Sequence, residues 1–106
     1  MGLGVHVVFH AAIENDVREI VAYYEDCPMG LGERFKRTFF ITVDELLVSP
    51  EKFARKFDAI RTRLIQPFPY LVFYSVERDV LFVLSVQYAG REPGYLHSLV
   101  RERKRK

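Results

Sequence analysis

The chain has 106 residues, 49% of them hydrophobic and 14% aromatic, which is apolar surface enough for one core and too little length for two domains, so residues 1–106 are expected to form a single domain. Charged residues stand at 28% and the net charge at +2, values that exclude wholesale disorder and give no bulk argument for a nucleic-acid partner. The lone Cys27 rules out an internal disulfide, Met1–Gly4 carries no cationic leader, and no apolar run approaches the ~20 residues of a membrane span, so a cytoplasmic protein without a membrane partner is expected.

Val5-His6-Val7-Val8-Phe9 is short, β-branched and apolar, and predicts a strand. From Ala11 the period changes: Ile13, Val17, Ile20, Val21 and Tyr24 recur at helical spacing, with Glu14, Asp16, Arg18 and Glu19 assigned to the solvent face. Glu14 and Arg18 stand four apart in the favourable order for a surface ion pair. The helix is expected to stop near Cys27-Pro28, where proline restricts the residue before it. A second helix is predicted from after Gly30 to about Val48, with Leu31, Phe35, Phe39, Val43, Leu46 and Leu47 as its apolar face and Ser49-Pro50 as its stop.

Beyond Pro50 the pattern belongs to strands. Phe57 to Ile65 alternates irregularly, and Gln66-Pro67-Phe68-Pro69 is a connection, because two prolines in four residues exclude a central strand. Tyr70–Val76 and Val80–Tyr88 are β-prone and apolar at most positions, so at least one must be central and covered. Glu77-Arg78-Asp79 between them predicts a tight hairpin. A last helical turn is expected around Tyr95 to Val100. The order β-α-α-β-β-β predicts an α+β fold, a helical hairpin packed on a mainly antiparallel sheet. Arg101-Glu102-Arg103-Lys104-Arg105-Lys106 forms a basic tail, suited either to an acidic or polyanionic partner or to plain solvation.

Metal chemistry finds no support: His6, His10 and His97 are scattered, and no Cys-x-x-Cys is present. Phosphate-binding glycine loops are absent, and no cofactor is expected. Cys27 has no histidine near it in sequence, and His10, at a strand-to-helix corner, suits a cap better than a base. Arg61 and Arg63 share one face of a predicted strand, Arg91 follows the last strand, and Tyr95 lies four residues on. If the sheet brought them together, guanidinium groups could grip phosphate oxygens and the tyrosine could stack on a base or donate a proton. The competing reading is arginines that keep a sheet surface soluble by pairing with acids.

Several stretches resemble a known family. Phe9-His10-Ala11-Ala12 leads into Asp16-Val17-Arg18-Glu19-Ile20 and Tyr23-Tyr24; Leu46 and Leu47 precede Ser49-Pro50; Ile60-Arg61 precedes Phe68-Pro69-Tyr70-Leu71-Val72-Phe73-Tyr74; Val83-Leu84-Ser85-Val86 is followed by Arg91-Glu92-Pro93. Together they resemble the RelE/ParE toxins of type II toxin–antitoxin systems, the ParE-like branch above all. The resemblance implies a toxin silenced by a cognate antitoxin, whose acids would pair with Arg61, Arg91, Arg101 and Arg103. It implies one of two targets. RelE-type members cut messenger RNA on the ribosome, a role in which Arg61, Arg63, Arg91 and Tyr95 would be the catalytic set. ParE-type members poison DNA gyrase without a nuclease site. Leu71 stands where the nucleases place a strand arginine and Tyr88 where many relatives have histidine, which favours gyrase inhibition without chemistry. A family-shaped protein that only binds its partner is the third possibility.

Overall fold

In the computed structural model, which describes residues 5–27 and 29–105, the first β-branched run forms β1 (His6–Phe9) and the first amphipathic segment forms α1 (Ile13–Glu25). The expected stop at Pro28, the opening Met1–Gly4 and the terminal Lys106 lie outside the described residues. The His10 ring accepts the Ala12 N–H through Nδ1 at 3.0 Å, so this histidine tightens the corner into α1. Glu14 and Arg18 form the expected exposed pair at 3.3 Å, a contact of small energetic weight.

The second amphipathic segment is α2 (Leu31–Val48), entered through Gly30 at φ +65°, a left-handed conformation that glycine adopts without steric cost. The two helices approach closely at Gly32, where a Cβ would stand 3.0 Å from the Val21 carbonyl oxygen. Ile13, Val17 and Ile20 of α1 join Phe35, Phe39, Val43 and Leu46 of α2 in one core. Truncating either Phe35 or Phe39, both essentially solvent-free, would leave a cavity costing about 3–5 kcal/mol.

Five strands form one sheet in the order β1-β5-β4-β3-β2, with β2 (Arg55–Phe57), β3 (Ile60–Leu64), β4 (Tyr70–Glu77) and β5 (Val80–Tyr88). The β2 to β5 run is antiparallel and β1 pairs with β5 in parallel, His6 opposite Val80 through Phe9 opposite Val83. The expected strand over 57–65 is thus a hairpin of two short strands. It folds at Asp58, whose φ of +52° is a conformation that aspartate tolerates better than most residues. Arg78 takes φ +56° in the β4–β5 turn, as tight hairpins require.

The near-continuous apolarity of β4 and β5 has a simple origin: both of their faces are covered. Val72, Tyr74, Leu81, Val83 and Val86 pack against the helical hairpin. Phe73, Leu84 and Ile60 pack on the other side against Leu96 and Val100, which belong to α3 (Pro93–Arg105). The expected single turn over 95–100 is therefore a 13-residue helix, and residues 101–105 of the basic tail are its second half. Three local features carry it past one turn. Pro93 presets the first helical φ, the Glu92 carboxylate accepts the Tyr95 N–H at 2.8 Å, and Arg103, Lys104 and Arg105 in the last turn complement the helix dipole. The result has three layers: helical hairpin, sheet, single helix. No helix among the described residues is long and apolar enough to cross a membrane.

Candidate functional site

The strand β1 is four residues long and covers β5 only as far as Val83, where the His10 N–H makes the last bond to the Val83 carbonyl at 2.9 Å. Beyond that point β5 has an unpaired edge, and bare backbone groups away from water are costly. Two side chains take the place of a neighbouring strand there. Asp16 of α1 accepts the Val86 N–H at 3.0 Å. Arg103 of α3 donates to the Leu84 carbonyl at 3.2 Å and to Ser85 Oγ at 3.1 Å. The two also bond each other bidentately, at 2.6 and 3.0 Å, with side chains only 7% and 14% exposed. This clasp joins the layers on opposite sides of the sheet across its open edge. Asp16 therefore does not belong to the solvent face of α1, because a residue three after Ile13 and four before Ile20 lies on the buried stripe.

The other cationic side chains are spread over separate neighbourhoods. Arg61 donates to the carbonyls of Glu51 and Phe53, and Arg63 lies 3.8 Å from Glu45 with its guanidinium 4.8 Å over the Phe53 ring. Both stand opposite residues of the hairpin-side core, Tyr74 and Val72, so they fasten the segment after α2 to the sheet. Burial pushes the Tyr74 hydroxyl above the usual phenol range, with the Arg61 and Arg63 charges opposing the shift. Arg91 stacks on Tyr95 at 4.3 Å, beside a recess lined by Glu19, Tyr23, Tyr70 and Tyr88. Arg101 bonds Asp58 at 2.7 Å and holds that carboxyl below its ordinary range. Arg91 stacks on Tyr95 and Arg61 and Arg63 share one face of β3, and the two pairs have none of these contacts in common. Among the described residues no cluster of three His, Cys, Asp or Glu could hold a metal ion.

The helical hairpin carries a concave, apolar surface. Between α1 and α2 lies a groove of about 550 Å³, with Val17, Phe39 and Phe40 along it, Phe9 at its β1 end and Arg18 and Lys36 at its rim. Phe9 and Phe40 are 38% and 47% exposed and their rings lie 6.3 Å apart, edge to face. Rings fixed in this way offer a rigid apolar bed for a partner helix or extended segment.

Residues 7–93 match the family described as the ParE toxin of the type II toxin–antitoxin system parDE. This chain is a member of the ParE toxin family. The fold agrees with solved structures at low sequence identity. One from the chromosomal ParDE system of P. aeruginosa aligns with a TM-score of 0.69 and 14% identity, over 79% of this chain and 95% of its own. A free-state E. coli RelE toxin with two arginines replaced by alanine gives 0.63 and 20%, over 95% and 98%. The isolated E. coli RelE toxin gives 0.55 and 20%, over 92% and 98%. No curated protein matches the chain in sequence.

Two features of this ParE-family chain lay beyond the reach of its residue pattern, the exposed Phe40 and the buried pairing of Asp16 with Arg103. Phe40 carried a signal, since it stands next to Phe39 on a helix and adjacent residues there point about 100° apart. The pairing of Asp16 with Arg103 carried none, because its partners are 87 residues apart.

Proposed function

We propose that this chain is a toxin that inhibits DNA gyrase by binding it, acts in the cytoplasm, and is silenced by a cognate antitoxin seated in the α1–α2 groove. The observation that carries a binding action over RNA cleavage is the dispersal of the candidate catalytic set. Cleavage needs a base, an acid and charge stabilisation converging on one phosphate. Arg61 and Arg63 instead spend their guanidinium groups on Glu51, Phe53 and Glu45, while Arg91 and Tyr95 stack on each other. The antitoxin assignment rests on the exposed Phe9 and Phe40 rings, which suit the apolar face of a partner segment.

Purified chain is expected to block gyrase-catalysed supercoiling, and addition of the antitoxin to restore it. Unaffected supercoiling together with cleavage of messenger RNA on ribosomes would replace this reading by a RelE-type nuclease. That second reading would draw on Arg91 and Tyr95, the two members of the candidate set that lie in contact.

A further inference from the structure

Gly32 lies buried in the first turn of α2. A helical backbone does not ask for glycine, which is a weaker helix former than alanine. Spacing does. A Cβ at this position would stand 3.0 Å from the Val21 carbonyl oxygen, 3.1 Å from Val21 Cγ1 and 3.7 Å from Glu25 Cγ. The first of these atoms is backbone, and the second belongs to a β-branched side chain that is stiff at χ1, so neither can fold away.

This contact belongs to the α1–α2 groove. On α2, positions 32, 36 and 40 recur at four-residue intervals on one face, and Lys36 and Phe40 line the groove. On α1 the groove is lined by Val17, Arg18 and Val21, so the residue that meets Gly32 is part of its wall. The two helices are held unequally here. Phe35, one turn on in α2, is fully buried, with its ring 5.3 Å from that of Phe68 and 5.4 Å from that of Tyr70. The last buried residue of α1 is Ile20, and beyond it only the partly buried Val21 and Tyr24 join the core. Crowding at position 32 is therefore relieved by α1 moving outward at Val21.

From this geometry we infer that Gly32 sets the width of the α1–α2 groove and so decides which partner segment fits it. Gly32 is a positioning residue, acting through Val21 rather than by touching the partner. The inference rests on the reading of this groove as the antitoxin's seat. A side chain at position 32 spreads the two walls by a few tenths of an ångström. Gaps of that order already forfeit part of each packed contact, and the rigid Phe9–Phe40 bed cannot close in to recover them. The groove is thereby matched to apolar partner side chains of one size.

The test uses the full chain and the product of the reading frame adjoining its gene, with affinity measured by calorimetry and stability by thermal unfolding of the free toxin. Gly32→Ala is expected to weaken the complex about tenfold, the scale of one overpacked methyl. The melting temperature of the free chain should change little, because the better helix propensity of alanine offsets the crowding. Val21→Ala combined with Gly32→Ala removes the Cγ1 contact and keeps the carbonyl contact. This pair decides the matter should Gly32→Ala fail to fold, and it is expected to bind more weakly than Val21→Ala alone. Larger apolar residues at the antitoxin's groove-facing positions are expected to restore affinity for Gly32→Ala and to lower it for the wild type, a reversal that lost stability cannot produce. Equal affinity of the wild type and both position-32 variants overturns the inference and leaves the antitoxin reading standing. A fall in melting temperature parallel to the fall in affinity, with no partner size that restores binding, reduces Gly32 to a packing residue. No complex with the wild type overturns both.

Discussion

Arg103 and Arg101 stand two residues apart on α3, and each bonds an aspartate at nearly the same distance, 2.6 and 2.7 Å. The resemblance ends there. The Arg103 and Asp16 side chains are 14% and 7% exposed, and those of Arg101 and Asp58 are 51% and 52%. Arg103 and Asp16 also satisfy backbone groups of β5, whereas Arg101 adds a stacking contact on Phe57 at 5.3 Å. Bond length therefore says little about what an ion pair contributes. What matters is what each charge would face if its partner were removed: water in one case, an apolar layer junction in the other.

The largest expected effect breaks the buried pair from one side. Asp16→Ala leaves the Val86 N–H without an acceptor and the buried Arg103 guanidinium without its counter-charge, and should cost about 3–5 kcal/mol. For a domain of this size that is a fall in Tm of more than about 10 °C, measurable by differential scanning calorimetry; a fall near zero would refute the clasp. Asp16→Leu with Arg103→Met removes both charges together. It should recover part of the loss, leaving a deficit of about 1–3 kcal/mol for the unpaired Val86 N–H and Leu84 carbonyl. Full recovery in urea unfolding would mean that the backbone contacts add nothing.

The exposed pair should give the smallest effect. Asp58→Asn is expected to lower Tm slightly at neutral pH, the least of these changes. Its signature lies in acid. Asp58 has its pKa lowered from 3.8 by the Arg101 hydrogen bond, so the folded value lies below the unfolded one. The stabilisation is complete above the unfolded value and is lost as pH falls through the folded value. An acid titration of wild type against Asp58→Asn, followed by circular dichroism, should show the two curves converging below pH 3.8. Curves that stay parallel would remove the contact from the account.

The same contrast explains how much of the molecule could be read from residue order. Elements with a period were legible: Phe35, Phe39 and Leu46 at helical spacing, and Val72, Tyr74, Leu81 and Val83 in strands too apolar to be exposed. Short or mixed segments were less so. Arg55–Phe57 is three residues long and largely charged, and it is a strand because β3 lies beside it. The residues of α3 beyond Val100 look like a soluble terminus, since Arg, Glu and Lys dominate and only Leu96 and Val100 mark a buried seam. Arg61 and Arg63 do share a face, as their spacing implies, yet nothing local announces that the carbonyls of residues 51 and 53 would claim Arg61. Single-sequence patterns report which side of an element is greasy; they do not report which distant backbone is left bare, and the β5 edge is bare only because β1 stops at Phe9.

That early stop also bears on the order in which the protein takes shape during synthesis. The helical hairpin and the β4–β5 hairpin involve near neighbours and are free to form as they emerge, whereas the junction of Asp16 with Arg103 must wait for a residue made 87 positions later. A polypeptide interrupted between Val100 and Arg103 keeps its core residues and loses the bolt between its outer layers. Copies cut short in this way are therefore the ones that proteases should find easiest to open.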